Sequence, residues 1–264
     1  MNFYDIEFSR NPLNMWNKLK TKSPVKKEGY NSLYDFCKAT SRYHFDETVD
    51  DIAQLDTDCP PIIPIGNIAG DWDQEVKKLS KETTPATFGF RTTTRADITN
   101  AWEENDFKKW GYNIDGGYTI ANRTIRPELE ESLQFIVDSF GFEKPGVVKF
   151  DVQIPGQCFY WHLDNFGGVL KRRRKEYNKS DEGDLDQRKV MRTVIFLDDQ
   201  QQGQVWQQGN LLLGWKRGDI ITWPWRDIPH GTCNYGHKPR PVLNITGILT
   251  DKTREFLTSI KRVL

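Results

Sequence analysis

Trp161-His162-Leu163-Asp164 sets an imidazole and a carboxylate two positions apart. On an extended strand such side chains leave the same face and can reach one point. A metal ion suits that pairing, and it needs a third ligand from elsewhere in the chain. Pro229-His230 offers one beyond the run Gly218-Asp219-Ile220-Ile221-Thr222-Trp223. His162, Asp164 and His230 are therefore the candidate metal ligands and the candidate catalytic residues. A lone H-x-D pair is common, and it can equally cap a turn. The strand placement ahead of a Gly-Gly turn, together with His230, favours the metal.

Two imidazoles and one carboxylate on one face of an iron leave three positions open, as non-haem Fe(II) oxygenases require. Ten positions after His230 comes Arg240, at the head of Arg240-Pro241-Val242-Leu243-Asn244-Ile245-Thr246. Its guanidinium can take a carboxylate through two parallel hydrogen bonds, the handle that a dicarboxylate cosubstrate presents. Lys238 is the reserve anchor. His237 competes as the distal ligand but precedes Arg240 by only three residues, in Tyr235-Gly236-His237-Lys238, which reads as a hairpin turn. His44 reads as an ordinary polar residue.

The elements that must carry these groups lie mostly in the second half. Short β-prone runs at 147–154, 157–162, 192–197, 210–215, 219–223 and 242–249 are bounded by Gly, Pro and Asp, which predicts an all-β core. The turns Pro155-Gly156-Gln157 and Lys216-Arg217-Gly218-Asp219 fit hairpin connections in a barrel or jelly roll. Before them, Arg126-Pro127-Glu128 opens a helix with the stripe Leu129, Leu133, Ile136, Val137 and Phe140, closed by Gly141. The first 125 residues read as helices and loops, with amphipathic pieces at 14–20 and 71–80 and the proline-rich Cys59-Pro60-Pro61-Ile62-Ile63-Pro64. We divide the chain into 1–125, a helical and irregular segment packing on the barrel, and 126–264, the barrel core, as one structural domain overall. The charged stretch 171–189 is either a solvated loop or a basic lid over the site.

With these residues assembled, the sequence resembles the Fe(II)/2-oxoglutarate-dependent dioxygenase superfamily, in its prolyl-hydroxylase-like branch. The resemblance rests on His162-x-Asp164, the distal His230 and Arg240, and on Pro155-Gly156-Gln157, Arg192-Thr193-Val194-Ile195-Phe196-Leu197 and Gly214-Trp215-Lys216-Arg217-Gly218-Asp219 as context. It covers about half the chain, roughly residues 127 to 250. It implies a mainly β double-stranded β-helix, jelly-roll or cupin-like, with flanking α-helices. It further implies Fe(II) on His162, Asp164 and His230, and 2-oxoglutarate as cosubstrate with its far carboxylate on Arg240. Asn244 and Thr246 alternate inward with Arg240, and either can complete the cosubstrate pocket. Asp164 is retained, whereas related halogenases carry a small residue there, so the resemblance implies a hydroxylase or another oxidase that splits 2-oxoglutarate to succinate and CO2 while oxidising a C–H bond. Gln200-Gln201-Gln202-Gly203-Gln204-Val205-Trp206 replaces the family's acidic Gly-Gly-Glu-x-x-Phe, which leaves the substrate open.

Composition narrows the partners. Lys and Arg total 37 against 37 Asp and Glu, so no global field draws in nucleic acid or an anionic membrane. No apolar run approaches the roughly 18 residues of a membrane span, and the start lacks the pattern of a secretory signal, which predicts a cytoplasmic protein. The expected partners are a small-molecule or peptidyl substrate and molecular oxygen. Cys37, Cys59, Cys158 and Cys233 form no C-x-x-C pair and read as reduced thiols. Five of nine tryptophans fall between Trp161 and Trp225, where they serve either core packing or substrate stacking; Trp161, Trp223 and Trp225 flank the ligands. Two other readings compete: a cupin-like metalloenzyme that does not use 2-oxoglutarate, and a non-catalytic β-barrel binding module.

Overall fold

The β-prone runs assemble into two antiparallel sheets. The structure, a computed structural model, describes residues 62–88, 118–162, 164, 190–209, 211–223, 228 and 230–259. In chain order these form β1 (Ile63–Asn67), α1 (Asp73–Glu82), β2 (Thr84–Phe88), β3 (Tyr118–Ile125), α2 (Glu131–Phe140), β4 (Glu143–Gln153) and β5 (Cys158–His162). They continue with β6 (Val190–Phe196), β7 (Gln204–Gln208), β8 (Leu211–Leu212), β9 (Asp219–Thr222), β10 (His230–Asn234), β11 (Arg240–Ile248) and α3 (Asp251–Ser259). The larger sheet has the order β1-β9-β6-β11-β4-β3-β2 and the smaller one β5-β10-β7-β8. From β4 to β11 the chain keeps crossing between the two, which is the jelly-roll order of a double-stranded β-helix.

That order changes the meaning of the turns. Pro155-Gly156-Gln157 and Lys216-Arg217-Gly218-Asp219 are not hairpins, because β4 and β5 belong to different sheets, as do β8 and β9. They are corners. Gly156 sits at φ +88° and the Gln157 N–H donates to the Ile154 carbonyl at 3.1 Å. At the second corner the buried Asp219 carboxylate accepts from the Lys216 N–H at 2.7 Å and from Asn67 Nδ2 at 2.9 Å, so one side chain holds the turn to the end of β1. Tyr235-Gly236-His237-Lys238 is likewise the corner from β10 to β11, and His237 is exposed on it.

The N-terminal segment also departs from expectation. Rather than only packing on the barrel as helices and loops, it contributes β1, β2 and β3 to the larger sheet. β1 pairs antiparallel with β9 at the sheet edge, Ile63 opposite Thr222, where a proline such as Pro64 is tolerated. Ile62, Ile63 and Ile65 are buried there, which explains why a proline-flanked run still forms a strand. The predicted piece at 71–80 is α1, while that at 14–20 lies outside the described residues.

α2 begins at Glu131, later than Arg126-Pro127-Glu128 suggests, because its cap comes from another element. Glu75 on α1, almost fully buried, accepts from the Glu130 N–H at 2.7 Å, from Ser132 Oγ at 2.6 Å and from the Leu133 N–H at 3.3 Å. A carboxylate at the positive end of a helix fixes where that helix starts. Gly141 closes it in the left-handed region at φ +57°, as expected. Beyond it Phe142 lies against Gly247 of β11, and Phe140 stacks with Phe142 and meets Phe256 of α3 edge-on. These helices cover the face of the larger sheet that turns away from the barrel interior. The interior face carries Phe196, which stacks on Trp215 and meets Trp206 of the smaller sheet edge-on.

The β8–β9 corner depends on a glycine. Gly218 stands at φ +86°, its N–H donates to the Phe196 carbonyl at 2.7 Å, and a Cβ there would lie 2.0 Å from the Ile68 carbonyl oxygen. Gly218→Ala is expected to destabilise the fold by at least about 2 kcal/mol. Chemical denaturation of the two proteins checks it. Gly156→Ala is the control: a Cβ at that position would have nothing within 4 Å, so it meets only the backbone strain and loses less.

Candidate metal centre

His162 ends β5 and His230 begins β10, and the register sets them directly opposite each other. Their rings lie 4.2 Å apart between centroids at 49°. Asp164 follows two positions after His162, and one ligand atom from each of the three falls within 4.8 Å of the others. The sequence motif is thus brought together as a buried cluster that can hold a metal ion. Among the described residues it is the one such group of His, Cys, Asp and Glu.

Electrostatics prepares the donors. Arg192, on β6, forms an ion pair with Asp164 Oδ1 and donates from Nε to Thr246 Oγ1 at 3.1 Å. The other carboxylate oxygen, Oδ2, has no hydrogen-bond partner and stands 3.9 Å from His230 Nε2. Burial raises the Asp164 pKa, but the Arg192 cation paired with it counters this, and the carboxyl is held below its usual range. Burial, with His162 adding to it, pushes His230 down to about 3. The result is an ionised carboxylate with one unspent oxygen beside an imidazole held neutral, which is the protonation state that a divalent ion needs. An orphaned buried carboxylate oxygen has no other evident use here. The residues present fit a metal ion.

Arg240 opens β11 and is buried at 5% exposure. Its Nη2 donates to Gln153 Oε1 at 2.5 Å, while Nε and Nη1 are buried without a partner. The guanidinium lies 5.3 Å from the Trp206 ring centre and 5.7 Å from that of Trp215. Burial lowers its pKa to about 10, so it remains a cation at neutral pH. Trp206 lies nearly parallel to the His230 ring, 6.1 Å between centroids, and so bridges arginine and imidazole. Gln153 in turn donates to Thr232 Oγ1 at 2.9 Å.

Asn244 and Thr246 share the inward face of β11 with Arg240, as the alternation predicts. Each already has a protein partner: Asn244 Nδ2 donates to Asp151 Oδ2 at 2.8 Å, and Thr246 receives Arg192. Trp206, Trp215 and Trp223 are buried, and Trp223 meets His230 edge-on at 5.0 Å, so these rings form the wall behind the ligand. Lys238 is exposed. Cys158 and Cys233 are free thiols facing each other across β5 and β10. His44, Cys37, Cys59, Trp225, the segment 171–189 and the side chain of Trp161 lie outside the described residues.

Comparison with known proteins finds only distant structural likeness. No protein-family model matches the chain, and no curated protein matches it. Solved structures do. A prolyl-4-hydroxylase from Pseudomonas putida aligns at 14% identity over 67% of this chain and 83% of its own, with a TM-score of 0.40. A cupin 2 conserved barrel domain protein from Salinispora arenicola aligns at 11% identity over 53% and 85%, TM-score 0.28. The cupin domain of Schizosaccharomyces pombe Cnp3 aligns at 7% over 52% and 72%, TM-score 0.30. The fold assignment itself stands on the strand order. No helix among the described residues is long and apolar enough to cross a membrane.

Sequence reasoning missed Arg192, Gln153 and Trp206 as site residues. Arg192 appeared only as the start of a strand, and no spacing rule links it to Asp164, 28 positions earlier. Replacing Arg192 with Met removes the group that aims Asp164, and a 10- to 100-fold loss of metal affinity is expected, about the usual effect of removing an outer partner of a ligand. Titration of the metal-free variant with Co(II), followed by absorbance, measures it. His230 also makes the metal-free protein acid-sensitive. Its folded pKa is depressed, so its contribution to stability is complete above the unfolded value of about 6.5 and is lost as pH falls toward about 3. His230→Asn is expected to flatten that part of the melting temperature against pH.

Proposed function

We propose that this chain is an Fe(II)- and 2-oxoglutarate-dependent oxygenase of the hydroxylase type, acting on a small-molecule or peptidyl substrate with molecular oxygen. One observation carries the reading: the barrel interior that encloses His162, Asp164 and His230 also encloses, on the facing sheet, a buried arginine with two unmet donors. A fully buried guanidinium with unmade hydrogen bonds is costly unless an anion completes it. A cupin-like metal site that does not use 2-oxoglutarate has no need of that cation.

The residues divide the work. Arg192 holds one oxygen of Asp164 and so turns the other toward the position shared with His162 and His230. The unmet donors of Arg240, Nε on one edge and Nη1 on the other, are left for the far carboxylate of the cosubstrate, while Gln153 fixes the guanidinium at Nη2. Trp206, Trp215 and Trp223 keep water from both groups. Fe(II) with 2-oxoglutarate supplies oxidative decarboxylation, giving succinate and CO2 and oxidising a C–H bond of the substrate. Dryness matters because it strengthens every charge interaction in the pocket.

The test is anaerobic addition of Fe(II) and 2-oxoglutarate to the purified protein, with absorbance read for the weak visible charge-transfer band of the chelated complex. A band is expected in the wild type, lost with His162→Ala and weakened at least tenfold in cosubstrate affinity with Arg240→Ala. A folded, metal-binding protein that shows no band excludes 2-oxoglutarate and leaves the cupin-like metalloenzyme. A folded protein that binds no metal leaves the binding module.

A further inference from the structure

The inward side chains of β4 are Gln153, Asp151 and Lys149, opposite Arg240, Val242 and Asn244 of β11. Gln153 is buried, whereas Asp151, Lys149 and Asn244 are half-buried, so this wall opens toward solvent as it leaves Arg240. The open part is rich in charge. Arg123 on β3 holds Asp151 through Nε and through Nη2 at 3.1 Å, and Asn244 donates to the same carboxylate. Arg192 holds Asp164. Three cations, Arg123, Lys149 and Arg192, thus face two acids, and both acids are taken. Lys149 is the surplus.

Asp151, two positions along the same face of β4, is already held by Arg123 and Asn244, and among the described residues no ion pair is formed by Lys149 itself. Its cross-strand neighbours are Asn244 on β11 and Ile125 on β3, and β4 at this point is an interior strand of the sheet, not an edge. Burial, with Arg192 and Arg123 adding to it, pushes Lys149 down to about 8. Asp151 and Asp164 act in the opposite direction and do not restore it. Lys149 shares the inward parity of Asp151 and Gln153, the face of β4 that turns toward the barrel interior. A divalent ion on Asp164 would leave the region more positive still.

We propose that this end of the wall is an anion subsite in which Lys149 receives an acidic group of the substrate, a carboxylate or a phosphate monoester. The assignment of that acid to the substrate rests on the oxygenase reading; the anion site itself does not. The substrate is then an acidic compound whose anionic group docks on β4 while the carbon to be oxidised lies toward His162, Asp164 and His230. Arg240 remains reserved for the cosubstrate, at the buried end of the same wall.

Selective labelling tests the site without knowledge of the substrate. The full-length, Mn(II)-loaded protein is treated with an amine-acetylating reagent at pH 7.5, and Lys149 is followed by peptide mass mapping with inorganic phosphate or acetate present. Lys149 is expected to label several-fold faster than the exposed lysines, and either anion should slow it at least threefold. Protection by both anions admits a carboxylate; protection by phosphate alone narrows the group to a phosphate monoester. Lys149→Met, which keeps the aliphatic stem and breaks no ion pair, should weaken phosphate binding in calorimetry about tenfold, with Lys149→Arg restoring it. Arg240→Met should leave phosphate protection of Lys149 intact. Absence of protection by either anion, or wild-type phosphate affinity in Lys149→Met, overturns the subsite. Titration of the same proteins with 2-oxoglutarate keeps the two readings apart. Failure of 2-oxoglutarate to bind while Lys149 is protected removes the oxygenase reading and leaves the anion site standing, and normal 2-oxoglutarate binding without protection does the reverse.

Discussion

Two histidines on neighbouring antiparallel strands can share one ion only if they stand in the same register and point to the same side, and a slip of one residue sends one of them to the opposite face. His162 and His230 meet that condition because β10 is clamped on both sides, by β5 at His162 and by β7 at Gln208. The larger sheet then supplies what faces them: Arg192 from β6, Gln153 and Lys149 from β4, Arg240 and Thr246 from β11. Each of these is inward for the same parity reason. The chemistry of the interior is therefore a property of the pairing between strands, and no single strand contains it.

The interior is unusual for a protein core in the number of ionised groups it encloses. Two of its acids are matched to arginines, in Arg123 with Asp151 and Arg192 with Asp164. Arg240 is matched only in part: the aromatic faces of Trp206 and Trp215 attract its charge through the ring quadrupole but leave Nε and Nη1 without acceptors. Such an arrangement is poor as a device for stability, since well-packed apolar groups of the same volume usually serve as well or better. Its retention is understandable in a pocket built to receive negative charge at one end and positive charge at the other.

Much of the site was legible because its ligands obey short spacing rules. His162 and Asp164 are two apart on a strand, and Arg240 follows His230 at a distance that brings the next strand back alongside. The partners that tune those groups obey no such rule. Arg192, Gln153 and Lys149 reach the interior through parity and register, which pairwise sequence separation does not encode. The turns gave the converse difficulty: Pro155-Gly156-Gln157 has the same backbone chemistry in a hairpin as at a corner, and only the partner strands distinguish them. The start of α2 was misplaced because Glu75, 55 positions earlier, caps it. Strands β1 to β3 were read as loops and helices because each draws its stability from pairing with distant strands and carries little signal of its own.

The strand order also dictates when the site can come into existence. The end of β5 and the residues just after it carry the first two ligands, but the neighbouring β10 begins 68 positions after His162, and β6, which carries Arg192, is flanked in the sheet by β9 and β11. During synthesis, His162, Asp164 and Arg192 leave the ribosome well before any of the strands that hold them in place. Until β11 has been made, the chain has unpaired strand edges and separated, unmatched charges. Long-range pairings of this kind close large loops and fold slowly. A chain that ends ahead of Arg240 therefore carries every ligand but lacks β11, the strand that joins β4 to β6 and brings Arg240 and Thr246 to face them.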